Sequence, residues 1–183
     1  MSISYIALCG APEAGKSEAQ RLLQEHYGFK AVDDSEILRE AAKILYNLED
    51  WHVTTQEGKA TLITVGDESI TVRKILGELG LYLEQKDPHH IPKQALMRVQ
   101  TEFPDGKFSF GSVRRDQAKV FKSTGKGLIV EIQRAGFLPT NEFDQYDKDL
   151  VDVTITNSYD PKDKIGSTQR LLKQIQDIVE PHL

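Results

Sequence analysis

Five short stretches of the chain are dense in apolar residues: 3–8, 29–32, 107–113, 128–132 and 153–156. They do not alternate cleanly between apolar and polar positions. That pattern suits parallel strands covered on both faces, not a sheet with one wet side. Between and after these runs the apolar spacing turns helical. Residues 16–27 place Ala19, Leu22 and Leu23 on one side, and residues 114–123 follow the third run. Residues 162–179 close the chain with Leu171, Leu172, Ile175, Ile178 and Val179. Strands alternating with helices predict an α/β fold, a parallel sheet joined by right-handed crossovers. Such sheets bind ligands at the carboxyl ends of their strands. Gly10, Asp33, Asp34, Arg114 and Arg134 all fall at or just past a predicted strand end.

The interval between the second and third strands is much longer than one crossover helix needs. Its spacing predicts helices over 35–48, 72–83 and 93–100, with Ile75, Leu76, Leu79 and Leu83 on one face of the second. Residues 61–71 read as a small hairpin turning at Gly66-Asp67. The domain organisation is thus one domain, 1–183, with a core of 1–34 and 105–183 and an insert of 35–104. The insert either covers a second ligand or enlarges the core. Residues 135–149 carry Gly136, Pro139 and several charges, and form a loop long enough to act as a lid.

The chemistry begins where the first strand ends. Gly10 to Ser17 reads G-x-x-x-x-G-K-S, between an apolar strand and a helix starting near Lys16, which is the setting a phosphate-binding loop requires. Gly10 permits the turn, Gly15 brings the backbone close to phosphate oxygens, and loop N–H groups with the helix N-terminus supply positive potential. Lys16 is placed to reach the β- and γ-phosphates of ATP and the Ser17 hydroxyl to ligate Mg²⁺. The nucleotide-binding set is Gly10, Ala11, Glu13, Ala14, Gly15, Lys16, Ser17 and Glu18. Phosphoryl transfer needs cations over the reacting phosphates, and Arg114 and Arg134, which end two further strands, either serve that role or cap a solvated edge of the sheet. Arg115 opens the next predicted helix and is expected to face solvent.

Composition narrows this picture. The 183 residues suffice for one domain with a real core, and 39% hydrophobic with 28% charged residues is ordinary for a soluble protein. A formal net charge of −5 argues against nucleic acid as the ligand. Cys9 is the single cysteine, so no internal disulfide forms; at the end of an apolar run it reads as a small buried hydrophobe. No apolar stretch approaches the length of a membrane span, and the N-terminus lacks a basic signal region, so the expected location is cytoplasmic. His89-His90 lacks an evident third metal ligand and reads as loop. Tyr82, Phe108, Phe110 and Trp51 are either base-stacking rings or core.

In order along nearly the whole chain, these features resemble the bacteriophage-type deoxynucleoside monophosphate kinases, relatives of the nucleoside monophosphate kinases and dephospho-coenzyme A kinase. Ser35 to Ala42 looks like the family's acidic-x-Leu-Lys-Glu-Ala-Ala helix start, with Glu36 and Arg39 in the acidic and basic positions. Thr71 to Gly80 is similar to its Thr-Pro-Arg-x-x-Leu-Gln-x-Leu-Gly segment, which implies that Arg73 holds the acceptor phosphate. Val130 to Gly136 and Val151 to Asn157 match two strand ends. The resemblance implies a three-layer P-loop kinase fold with a five-stranded parallel sheet, helices on both faces and a helical acceptor-binding insert. It implies catalysis by Lys16, Arg114 and Arg134, and substrate contacts from Asp33, Asp34, Glu36, Arg39 and Arg73. Metal contacts would come from Ser17 and Asp33. The substrates would be ATP with Mg²⁺ and a nucleoside or deoxynucleoside monophosphate, handled by a monomer or homodimer.

Two positions depart from that pattern. Ser112 stands where the family carries aspartate, and Ala118 where it carries glutamate. Asp33-Asp34 either supplies the missing carboxylate through water, as at the strand end of shikimate and gluconate kinases, or caps the next helix. Two alternatives therefore stay open: a kinase with a sugar-acid acceptor, or a nucleotide-binding protein with little turnover.

Overall fold

The computed structural model describes residues 2–138 and 144–182. In chain order the elements are β1 (Tyr5–Cys9), α1 (Lys16–Tyr27), β2 (Lys30–Val32), α2 (Glu36–Tyr46), α3 (Asp50–Thr54) and α4 (Gln56–Ala60). Then come β3 (Leu62–Val65), β4 (Glu68–Thr71), α5 (Val72–Lys86), α6 (His90–Glu102) and β5 (Phe108–Phe110). The chain ends with α7 (Ala118–Lys122), β6 (Gly127–Gln133), β7 (Val153–Thr156) and α8 (Lys164–Val179). It divides into two compact units, Met1–Asp33 with Pro92–Leu183, and Asp34–Ile91.

The first unit is built on a parallel sheet of order β2-β5-β1-β6-β7. β1 lies in the middle, with Ala7 opposite Phe110 on one side and Ile129 on the other. All five of its residues are buried, which is why its sequence does not alternate. Ile6 and Leu8 face Leu22, Leu23, Leu171 and Ile175 of α1 and α8. Tyr5, Ala7 and Cys9 face Ala95, Leu96 and Val99 of α6 and Phe121 of α7. Each fully buried Leu, Ile or Phe among them stabilises the fold by about 1.5–3 kcal/mol. The sheet is therefore covered on both faces, as the apolar runs predict.

Three boundaries differ from expectation. β5 covers three residues instead of seven; the Gln20 side chain donates to the Ser109 carbonyl within it (2.9 Å) and fills the space beside Gly111 just past its end. The following helix begins at Ala118, not Arg114. Arg115 has φ 46° and forms a parallel bridge with Tyr146, so it is half-buried and not turned wholly to solvent. Finally, α6 packs its Ala95, Leu96 and Val99 on the sheet, so the second unit ends well before the expected insert boundary at residue 104.

The second unit has its own small core of Ala42, Val53, Val72 and Ile75, contributed by α2, α3 and α5. Its hairpin forms as read, with Val65 opposite Glu68 across the Gly66-Asp67 turn. The Thr71 side chain caps α5 by accepting the Lys74 N–H at 3.2 Å.

Candidate active site

The loop after β1 is shaped by left-handed backbone at Gly10 (φ 135°), Glu13 (φ 62°) and Gly15 (φ 107°). A Cβ on Gly10 would collide with the Ile132 carbonyl oxygen of β6, and one on Gly15 with the Asn157 amide. The loop is thus seated as close to its neighbours as backbone allows. Ala11 and Ala14 are buried in the core and anchor it from below. Lys16 arches over its own loop, donating from Nζ to the Gly10 carbonyl at 2.7 Å and the Ala11 carbonyl at 2.8 Å. Ser17 is exposed in the first turn of α1, beside the positive end of a twelve-residue helix. Glu18 is occupied elsewhere. Its carboxylate binds Arg21 at 2.7 Å and accepts from Thr168 at 3.3 Å, and the Arg21 hydrogen bond holds it below the usual glutamate range.

Arg134 reaches this loop from the end of β6. Its Nη1 donates to the Glu13 carbonyl at 3.2 Å, and its guanidinium carbon lies 4.2 Å from the Phe137 ring centre and 4.6 Å from that of Tyr159. A cation held between two ring faces keeps its orientation. Nearby, Ala11, Gln133, Arg134, Phe137, Tyr146 and Thr156 line part of a cavity of about 400 Å³.

That cavity is also lined by Glu131, a group the sequence reading assigned no role. It is buried in β6, yet its carboxylate accepts from the Tyr146 hydroxyl in a short bond and from Thr154 at 2.9 Å, with Lys148 at 3.7 Å. Burial pushes its acidity down. Hydrogen bonds from Tyr146, Gln133 and Thr154, with the Lys148 charge, outweigh that and hold the carboxyl below its ordinary range. The same pairing pushes Tyr146 up, behind a larger contribution from burial. Cys9, 1% exposed, is pushed up to about 12 by burial first and Glu131 second. A charge inside the run Leu128 to Ile132 is the signal that marks Glu131 in sequence.

Residues 144–148, within the expected lid 135–149, are tied down. The Arg115 N–H donates to the Gln145 carbonyl at 2.6 Å, and the Asp147 N–H to the Arg115 carbonyl at 2.7 Å. Residues 139–143 of that segment lie outside the described residues.

Arg114 sits in a turn closed by Gln117, whose side-chain oxygen accepts the Arg114 N–H at 3.2 Å while its own N–H donates to the Arg114 carbonyl at 2.9 Å. Gln117 thus holds this turn, while the neighbouring Ala118 packs in the core. Ser112 is half-buried and Asp33 is exposed just past β2. Among the described residues no group of three metal-binding side chains forms. Mg²⁺ bound to ATP needs few protein ligands, since phosphates and water fill most of its shell. Ser17 and Asp33 each offer an exposed oxygen ligand.

In the second unit, Asp34 is buried and Ser35, not either aspartate, occupies the N-cap position of α2. Glu36 is exposed in the first helical turn. Arg39 is half-buried, and burial pushes its guanidinium down. Arg73 donates from Nη2 to the Gln56 side chain at 2.6 Å. Lys59 joins these two: burial, then the charges of Arg39 and Arg73, push its amine down. Sequence reading named Arg39 and Arg73 but missed Lys59. Of the aromatic candidates, Phe108 and Phe110 are core, while Trp51 and Tyr82 are exposed.

A phosphate loop at the end of the central strand of a five-stranded parallel sheet defines a P-loop kinase fold. Dephospho-CoA kinase from Campylobacter jejuni shares it, at 17% identity and a TM-score of 0.53, over 98% of this chain and 99% of that one. Shikimate kinase from Aquifex aeolicus is a looser match, at 16% identity and 0.42, over 97% and 96%. A gluconokinase from Sinorhizobium meliloti gives 10% and 0.41, over 98% of each chain. No protein-family profile and no curated protein matches the sequence. The first of these likenesses shows the fold, and the chemistry rests on the residues. No helix among the described residues is long and apolar enough to cross a membrane.

Proposed function

We propose that this protein transfers the γ-phosphoryl group of ATP to a nucleoside or deoxynucleoside monophosphate, giving ADP and the diphosphate. The observation that carries this reading is the second cationic centre. Besides the loop that cradles ATP, the chain sets Arg39 and Arg73, with Lys59, on a separate helical unit. A protein that only bound ATP has no need of it. The motifs around Arg39 and Arg73 support a monophosphate acceptor over a sugar acid. Glu36 and Asp34 lie on the same unit and Asp33 at the end of β2, as further substrate contacts.

An acceptor phosphate oxygen attacks the γ-phosphorus, the bond to the β-γ bridging oxygen breaks, and ADP leaves. The acceptor is already an anion, so no protein nucleophile is required. Lys16 and the loop N–H groups hold the donor phosphates. Arg114 and Arg134 neutralise charge as it spreads over the transferred group. Mg²⁺, held through Ser17 and outside it Asp33, would supply charge neutralisation between the phosphates. The substrates are small nucleotides, not nucleic acid, and the setting is cytoplasmic, for a monomer or homodimer.

One observation favours a second reading. Ser112, just past β5, and Ala118, at the start of α7, stand where the resembled family carries carboxylates, which suits a nucleotide-binding protein with little turnover. The two are separated by giving the protein MgATP with a panel of deoxynucleoside and ribonucleoside monophosphates, with shikimate and gluconate alongside, and Lys16→Ala as control. Acceptor-dependent ADP release with a monophosphate is the expected result. ATP binding with no release above the control under any acceptor removes the kinase reading.

A further inference from the structure

We propose that Lys59 is the third cation of an anion-binding site that takes a dianionic phosphate monoester, in preference to a carboxylate. The inference rests on the reading of the second unit as the acceptor-holding part. It gives Lys59 a direct contact with the ligand and fixes the ligand charge that the three cations select.

The geometry comes from three helices. Thr55 accepts the Gly58 N–H at 2.9 Å and starts α4, so Gln56 and Lys59, three residues apart, share one face of it. Arg73, in the first turn of the capped α5, reaches across to Gln56 with a 2.6 Å hydrogen bond. That bond brings a guanidinium to the face from which Lys59 projects. Arg39 comes from α2, which packs with α5 around Ala42, Val72 and Ile75. The half-buried Lys59 amine feels the charge of both guanidinium groups, and Glu40 lies near Arg39.

Gathering like charges while stripping water from them is unfavourable in the protein alone. Lys59 has no carboxylate partner among the described residues that would offset it. A phosphate monoester offers two negative charges and three acceptor oxygens, enough for several charge-assisted hydrogen bonds. A sugar-acid carboxylate offers one charge and two oxygens. The cluster therefore discriminates by charge before any contact to base or sugar.

The test measures binding to the full chain by calorimetry without ATP. The probes are inorganic phosphate, four deoxynucleoside monophosphates, shikimate and gluconate. The parent should bind the monophosphates and phosphate, and bind both sugar acids more weakly. Lys59→Gln should weaken the best monophosphate about tenfold or more and lower its salt dependence, with ATP affinity unchanged. Lys59→Arg should restore most of the loss, which a merely structural role does not explain. A Lys59→Gln protein with native circular dichroism and parental monophosphate affinity overturns the proposal. So does a parent that binds shikimate or gluconate as well as monophosphates, or that binds no monophosphate. Failure here with intact nucleotide turnover leaves the kinase reading standing. The expected binding changes with no turnover would sink that reading and leave this site.

Discussion

Asn157, just beyond β7, donates from Nδ2 to the carbonyl of Ala14 at 2.8 Å and fills the space a Cβ on Gly15 would need. Its own backbone N–H donates to the Gln133 carbonyl at 2.7 Å, so one residue ties the last two strands to the phosphate loop. Asn157→Ala removes the donor and leaves the buried Ala14 carbonyl without its Asn157 partner, at a cost of about 1–3 kcal/mol. Urea unfolding should show that loss, and ATP should bind more weakly because the loop is no longer pinned. Parental stability and ATP affinity in the variant would show that the contact carries no weight.

Arg134 offers a test of shape against charge. Lysine keeps the positive charge but lacks the planar fork that lies between Phe137 and Tyr159 and reaches the Glu13 carbonyl. With whichever monophosphate supports ADP release as acceptor, Arg134→Lys should lose nearly as much kcat/KM as Arg134→Ala, on the order of a hundredfold. A lysine variant that retains half the parental kcat/KM means that charge alone suffices there.

The sheet and the hairpin were legible because each rests on local pattern. Apolar runs mark strands buried on both faces, and Gly66-Asp67 marks the turn between β3 and β4. The phosphate loop was legible because its glycines answer to local backbone angles and close contacts. What escaped depends on distant partners. α3 and α4 bury only Val53 and Gly58, so residues 50–60 show no apolar period, and Lys59 acquires meaning only through the Arg73–Gln56 bond. Glu131 stands out as a charge in a strand, but its partners Tyr146 and Thr154 lie 15 and 23 residues away. The helical period of α6 was visible, whereas its allegiance to the sheet came from where the chain led it.

Cys9 should behave as an inert hydrophobe. Its thiol donates weakly to the Val130 carbonyl at 3.7 Å, and burial pushes its pKa up to about 12 from the ordinary thiol value of 9.0. Alkylation by iodoacetamide at pH 8 should therefore run at least about a thousandfold slower in native protein than in urea, through rare opening. The sign of the pH effect follows. The unfolded thiol ionises first, so its contribution to stability is present below about pH 9 and declines as pH rises toward 12. A native rate within tenfold of the unfolded rate is incompatible with this burial.

Glu131 predicts the opposite slope in acid. Its folded-state carboxyl is held below the ordinary value of 4.5, so the charged form favours the fold. That stability is fully present above about pH 4.5 and disappears as pH falls through the lower folded value. Glu131→Gln should destabilise the protein at pH 7 by about 1–3 kcal/mol, because Tyr146, Thr154 and Lys148 lose a charged acceptor. The gap to the parent should narrow steadily below pH 4.5. Tyr146→Phe removes one donor, lets the carboxyl rise toward its ordinary value and moves the acid midpoint upward. Urea unfolding of the three proteins between pH 3 and 7 checks both effects. Parallel stability curves for parent and Glu131→Gln across that range would mean that the carboxylate contributes nothing through its charge.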